Sequence, residues 1–327
     1  MSVFLEEICS YKPEMPGVLY HYCSIETLLN ILRNSCIWLS DAEKVNDRME
    51  LKYFSNQMNV RLLKILESYT KKFDEKQIVL IKQMLRKLLK CICDRSIPII
   101  ANSKEYICCF SEKQDLLSQW RAYGDDGKGV ALGFNASLFL KLKDLYNFDF
   151  TKVVYQDTNL RKCIDEYMEE HLRNILENNS YTEKNIKDML FDLAPIIVPI
   201  FQAGYAFKYP GFSEENEWRL YYKQTGNYDE VFEDEDPFIW NAFYPINSIA
   251  ENFSYSDLKF RSLENDICSY YELHFEKCKK DIIKEIVLGP KCKIQKRDLL
   301  ILLRKYGYIS AIESKKINII QSNIPYI

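Results

Sequence analysis

Short runs of strand-forming residues recur from one end of this chain to the other, and they restrict the fold more than any other feature. "VLYHY" at 18–22, "CIWLS" at 36–40, "YICCFS" at 106–111, "VALGF" at 130–134 and "KVVYQD" at 152–157 each have a strand's length. Each is bounded by polar or glycine-bearing turn residues. The second half of "FKYPGFSEENEWRLYY", then "SYYELHF", "IKEIVLGP" and "NIIQ" continue the series. Helical segments fall between them: Ser24 offers an N-cap hydroxyl ahead of Glu26, with Ile25, Leu28, Leu29 and Leu32 at helical spacing, and "KRDLLILLRKYGY" repeats the pattern near the end. This mixture predicts an α+β fold, a central mixed or antiparallel sheet with flanking helices.

Two longer amphipathic stretches, at about 52–93 and 158–193, read as helical insertions in that sheet. With only ten glycines and ten prolines and no segment of linker composition, residues 1–327 are expected to form a single domain. A chain of this length that is 47% hydrophobic and 14% aromatic has ample material for a core.

A formal charge of −3 gives no global reason to expect a polyanion partner. The lysines and arginines of the first helical insertion read as a solvated face, and "YDEVFEDEDPF" as an exposed acidic loop. The eleven cysteines, Cys91, Cys93, Cys108 and Cys109 among them, match neither a zinc knuckle nor a CxxC pair, so most are expected to be reduced fillers. "MSVFLEEICSYKPEMPG" lacks the basic and apolar regions of a secretory signal, and "APIIVPIF" is too short and proline-broken to span a bilayer. A cytoplasmic protein with no membrane partner is expected.

Chemistry is most readily placed where strand ends deliver polar and aromatic side chains, and three islands qualify. The first is Tyr20-His21-Tyr22, which holds one of only three histidines. The second, "CFSEKQDLLSQWRAYGDDGKG", sets Trp120 and Tyr123 beside a glycine-bearing turn, a combination suited to a planar heterocycle. In the third, "EENEWR", a strand would put Glu215 and Glu217 on one face and Asn216 and Trp218 on the other, with Arg219 available to compensate the carboxylates. Each island has a plain structural alternative: His21 bonding backbone groups, Trp120 anchoring its loop, "EENEWR" as a solvated edge strand. Asn46 and Asp47 with Glu50 offer oxygen ligands for a metal, but with no histidine or cysteine nearby Asn46 and Asp47 are expected to shape a turn, and no metal site is expected.

In this order the islands resemble a bacterial family of unknown function, DUF2971. The resemblance rests on "LYHYCS", "LSDAEKVNDRME", "CFSEKQDLLSQWRAYGDDGKGVALGF", "KYPGFSEENEWR" and "IKEIVLGPK", over roughly residues 18–295, with Arg48 where the family tends to have proline after Asn-Asp. The family name implies no reaction. A weaker resemblance is to the ADP-ribosyltransferase-like fold, in which a first-strand histidine holds the NAD ribose, an aromatic side chain packs on nicotinamide, and a late Glu-x-Glu strand supplies the carboxylate.

That resemblance implies Glu217, His21 and Glu215 as catalytic residues. His21, Tyr22, Ser111, Trp120, Tyr123 and Arg219 would contact NAD, the choice of stacking ring among Tyr22, Trp120 and Tyr123 staying open. Glu217 would stabilise the oxocarbenium-like sugar formed as nicotinamide leaves, and Glu215 would activate an acceptor. Ser111 would stand for the family's central hydroxyl motif, or else be a strand-end turn residue. The implied activity is ADP-ribosyl transfer or NAD hydrolysis, with NAD as substrate, a protein or nucleic-acid acceptor, and a toxin or phage-defence setting. Two alternatives compete: a nucleic-acid binder or processing enzyme using the basic residues of the 57–95 helices, and a non-catalytic regulatory or interaction module. If Glu217 is catalytic, Glu217→Gln is expected to abolish turnover while changing stability by no more than about 1 kcal/mol.

Overall fold

The computed structural model describes residues 8–44, 50–68, 104–139, 148–178, 203–224, 256–310 and 316–326, with residues 5, 75, 76, 78, 79, 82, 83, 86, 192, 200 and 312. Within these, the fold is α+β around one mixed sheet of ten strands. The strands are β1 (Val18–Cys23), β2 (Cys36–Asp41), β3 (Lys104–Ser111), β4 (Val130–Asn135) and β5 (Asp149–Lys152), then β6 (Glu217–Gln224), β7 (Lys259–Leu263), β8 (Asp266–His274), β9 (Ile283–Leu288) and β10 (Asn318–Gln321). The main path runs β10-β9-β4-β1-β3-β2-β8-β7, and β6 pairs with both β3 and β5 beside it. All pairings are antiparallel except β9 with β10.

The helix α1 (Ile25–Asn34) begins where its sequence says it should. Ser24 caps it by accepting from the Thr27 amide, and Leu28, Ile31 and Leu32 are buried beneath it. Each such burial contributes about 1.5–3 kcal/mol. The helix ends at Ser35, whose left-handed backbone turns the chain into β2. The first insertion contains α2 (Glu50–Ser68), and residues 75, 76, 78, 79, 82, 83 and 86 beyond it are helical. α3 (Leu117–Ala122) follows β3, α4 (Thr158–Asn178) opens the second insertion, and α5 (Lys296–Lys305) lies near the end of the chain. Residues 179–191, 225–255 with the acidic cluster, Asn46 and Asp47, and the Cys91–Cys93 pair lie outside the described residues.

One strand boundary differs from expectation. The strand expected at 152–157 is β5 at 149–152, because the ladder with β6 ends at Lys152 and the chain keeps only an isolated bridge, Val154 to Phe207. The core holds Phe110, Phe134, Phe139, Phe150 and Trp218, whose rings form a connected set at centroid separations of 5.1–6.1 Å. Favourable tilted and edge-on geometries dominate it.

The feature that positions the site is a fork in the sheet. One edge of β3 pairs with β6 along its whole length, from Lys104↔Gln224 to Ser111↔Glu217. Its other edge is shared, taking β2 at Ile107 and Tyr106 but β1 only at Ser111, opposite Tyr20. Strands β1 and β3 therefore touch at a single register pair and then part.

Candidate functional site

A cavity of about 80 Å³ occupies this fork, lined by Tyr20, His21 and Tyr22 from β1 and by Cys109, Phe110 and Ser111 from β3. Gln119, Tyr123, Glu215 and Glu217 complete the lining. All three sequence islands thus face one space.

His21 spans the fork. Its Nδ1–H donates to the Cys109 carbonyl at 3.0 Å, satisfying a backbone acceptor that the divergence of the strands leaves without a ladder partner. That bond leaves Nε2 as the unprotonated acceptor nitrogen. Burial pushes the imidazole below its ordinary value, against the opposing pull of the Cys109 carbonyl, so the ring is neutral at neutral pH.

Tyr22 contributes its ring to the cavity while its hydroxyl anchors the loop that follows β3. The hydroxyl donates to the Lys113 carbonyl at 2.7 Å and accepts from the Leu116 amide at 3.1 Å. Trp120 does not line the cavity; it is fully buried, packs edge-on to Tyr22 at 4.7 Å, and donates its indole N–H to Asp115 at 2.6 Å. It therefore supports the site instead of stacking on a ligand. Tyr123, at the end of α3, lines the cavity and is 36% exposed, which places it at the mouth. The turn after it has Asp125 and Asp126 in the left-handed region and Gly127 at φ +82°, the tight geometry that "DDGKG" implies.

Glu215 and Glu217 converge on the cavity by a different route from a shared strand. Glu215 ends a 3₁₀ turn over Pro210–Glu215, Asn216 is left-handed, and Glu217 is the first residue of β6. From there β6 alternates cleanly: Trp218 and Leu220 enter the core while Glu217 and Arg219 turn to the site side. Nor is this a solvated edge strand, because β6 lies between β3 and β5 and Glu217 is only 4% exposed.

Arg219 grips Glu217 through Nε at 2.5 Å and Nη2 at 3.1 Å, and passes Nη1 to the Tyr205 carbonyl at 2.8 Å. It is an ion-pair partner behind the carboxylate and does not line the cavity, in contrast to the expected NAD contact. The sequence reading missed Lys208, which is 2% exposed and donates to Glu215 at 2.8 Å and to Glu217 at 3.1 Å. Among the described residues, two acids and two bases thus meet in one buried cluster. Burial alone would raise the Glu217 carboxyl, but Arg219 and Lys208 outweigh it and hold the group at about 2.

The arrangement is polar in a literal sense. Both carboxylates line the cavity, whereas Lys208 faces a second small cavity beside Tyr155 and Arg161, and Arg219 lines neither. The wall presented to a ligand is therefore the negative end of the cluster. The Tyr155 hydroxyl, accepting from the Glu217 amide at 3.1 Å, fixes the start of the strand. Ser111 ties the same region down: its hydroxyl donates to the Glu215 carbonyl at 2.5 Å and accepts from the Lys113 amide at 3.0 Å. Ser111 thus acts through position, its donor directed to the backbone.

Among the described residues the cysteines are free, and Cys109 alone of them lines the cavity. Burial, reinforced by Glu217, keeps its thiol well above the ordinary value, so it is not a thiolate nucleophile. No described helix is long and apolar enough to cross a membrane.

No curated protein and no solved structure matches the chain. A family match covers a shorter span than the stretches that carry the resemblance, beginning after His21 and Ser111. Residues 119–220, which bring Tyr123, Glu215 and Glu217 to the cavity, match the family described as a protein of unknown function, DUF2971.

Proposed function

We propose that the chain is an NAD-cleaving enzyme of the ADP-ribosyltransferase-like kind, acting as a transferase or a glycohydrolase. The observation that carries this reading is the convergence of His21 and Glu217 on one cavity from strands that flank β3. The negative wall and the rings of Tyr20, Tyr22, Phe110 and Tyr123 suit a flat cationic group, and the nicotinamide of NAD is one. At about 80 Å³ the cavity has room for several water molecules, so it would take the reacting end of the dinucleotide while the remainder lies across the mouth near Tyr123.

In this reading the glycosidic C–N bond breaks and its electron pair leaves with nicotinamide, neutralising the ring. Positive charge builds on the ribose, and ionised Glu217 stabilises it without having to lose a proton first. Neutral His21 accepts a ribose hydroxyl through Nε2 and sets the sugar's position. Water or an acceptor nucleophile then forms the new bond to the sugar carbon and releases its proton to Glu215, the second carboxylate that lines the cavity. The acceptor, protein or nucleic acid, and a toxin or phage-defence role belong to the same proposal. The nucleic-acid alternative draws less support, since Glu67, Asp74 and Glu75 interrupt the basic residues of that segment.

The test is nicotinamide release from NAD by purified protein, with and without a crude protein and nucleic-acid acceptor mixture. Release that disappears in His21→Asn and Glu217→Gln proteins of native circular dichroism supports the assignment, and acceptor dependence separates transferase from hydrolase. Absence of release together with absence of NAD binding by calorimetry refutes it.

A further inference from the structure

A second group of reactive side chains stands on the β2–β8 pair, and none of them lines the cavity. Cys36 opens β2 directly opposite His274, the last residue of β8. Glu272, two residues before His274, shares its face of the strand. The Cys36 thiol, a Glu272 carboxylate oxygen and a His274 ring nitrogen lie within 4.8 Å of one another, with Nε2 of His274 3.3 Å from Oε2 of Glu272.

Thiol, imidazole and carboxylate together are the donor set of zinc and its neighbours, whereas calcium and magnesium sites are built from oxygen. Metal bonds of about 2.0–2.3 Å would draw the three donors closer by rotation of the side chains. The strands need not move, because five successive register pairs from Cys36↔His274 to Ser40↔Tyr270 hold them. Cys36 and Glu272 are buried and His274 is half-buried at the rim, giving an ion a path in and a position open to water.

Lys259 bears on the choice as well. Its ammonium donates to Glu272 Oε2 at 2.7 Å, the same oxygen that lies 3.3 Å from His274 Nε2, so the carboxylate already holds a cation there. The Lys259 side chain is 44% exposed and can withdraw into solvent when a dication takes that place.

We propose that Cys36, Glu272 and His274 bind a zinc-class transition-metal ion, with three protein ligands and a fourth position open to solvent. The site would join the strand leaving α1 to the end of β8. It is independent of the NAD reading.

The experiment is titration of chelator-treated protein with Zn²⁺ by calorimetry and with Co²⁺ by absorption spectroscopy. One equivalent should bind, with a thiolate-to-cobalt charge-transfer band in the near ultraviolet. Cys36→Ser should abolish the band, and Cys292→Ser should retain it. His274→Asn, at a half-buried position that tolerates change, should weaken Zn²⁺ binding by more than about tenfold. No charge-transfer band in the wild type, a band that survives Cys36→Ser, or unchanged affinity in His274→Asn would each overturn the site.

Discussion

The imidazole of His21 donates to the carbonyl of Cys109 across the point at which β1 and β3 part. One side chain thereby closes a gap in the sheet's hydrogen bonding and lines the cavity as well. A ring of similar size without the donor separates these two roles. His21→Phe should lower unfolding free energy by about 1–3 kcal/mol, the cost of a buried unsatisfied carbonyl, as read by urea denaturation. An unchanged midpoint and slope would mean that the Cys109 carbonyl finds another partner.

The same ring gives a pH signature. Its folded value lies below the ordinary 6.5, so the unfolded chain takes up the proton first as pH falls. The stability owed to neutral His21 is complete above 6.5 and declines as pH drops from there toward the folded value. Nitrogen NMR at pH 7 should show a neutral imidazole with the proton on Nδ1; a charged ring at that pH contradicts the geometry.

Glu217 acts in a lower window. Its folded value of about 2 lies below the ordinary 4.5, so its contribution is present above 4.5 and is lost as pH falls through about 2. Denaturation curves at pH 6, 4 and 3 should show a second decline below 4.5, and this decline should be shallower in Glu217→Gln, where Asp126 and Glu276, also held below their ordinary values, still contribute.

Glu217→Gln is not the neutral probe that the sequence suggested. With Glu217 buried against Arg219 and Lys208, removing its charge takes from two buried cations a carboxylate that both of them contact. We expect a loss of about 3–5 kcal/mol in place of one within about 1 kcal/mol. Adding Lys208→Met should recover part of it, because the double change removes one charge of each sign. Simple additivity in that cycle would mean that the two groups do not interact.

Tyr123 stands at the mouth, outside the charged cluster. Tyr123→Ala should weaken NAD binding by about two- to tenfold, the range for loss of one aromatic contact, with little change in melting temperature. Equal affinity would remove Tyr123 from the ligand's path.

Gly129 tests how closely the turn after Tyr123 packs on β1. A Cβ there would lie 2.1 Å from the Cys23 carbonyl oxygen, a backbone atom that cannot swing aside. Gly129→Ala should cost well over about 1 kcal/mol and disturb Tyr123 as the turn shifts.

What the sequence determined by itself was local. The strand runs, the Ser24 cap and the left-handed turn at 125–127 follow from β-propensity, side-chain capping and glycine's freedom, which act over a few residues. The three islands were legible as well, because strand ends carrying histidine, tyrosine and paired glutamates are conspicuous in a chain with three histidines. Tertiary structure decided the partners. Lys208 lies in the first half of "FKYPGFSEENEWRLYY", ahead of the strand run, and only the fold back over the 3₁₀ turn into β6 makes it the cation between two carboxylates. Trp120 and Tyr123 both looked able to stack on a ligand, and the packing of α3 against Tyr22 sends one inward and leaves the other at the mouth. Cys36 meets His274 because β2 pairs with a strand late in the chain. Register between distant strands is set by the burial of whole faces, a property of the assembled sheet that no short stretch of sequence contains.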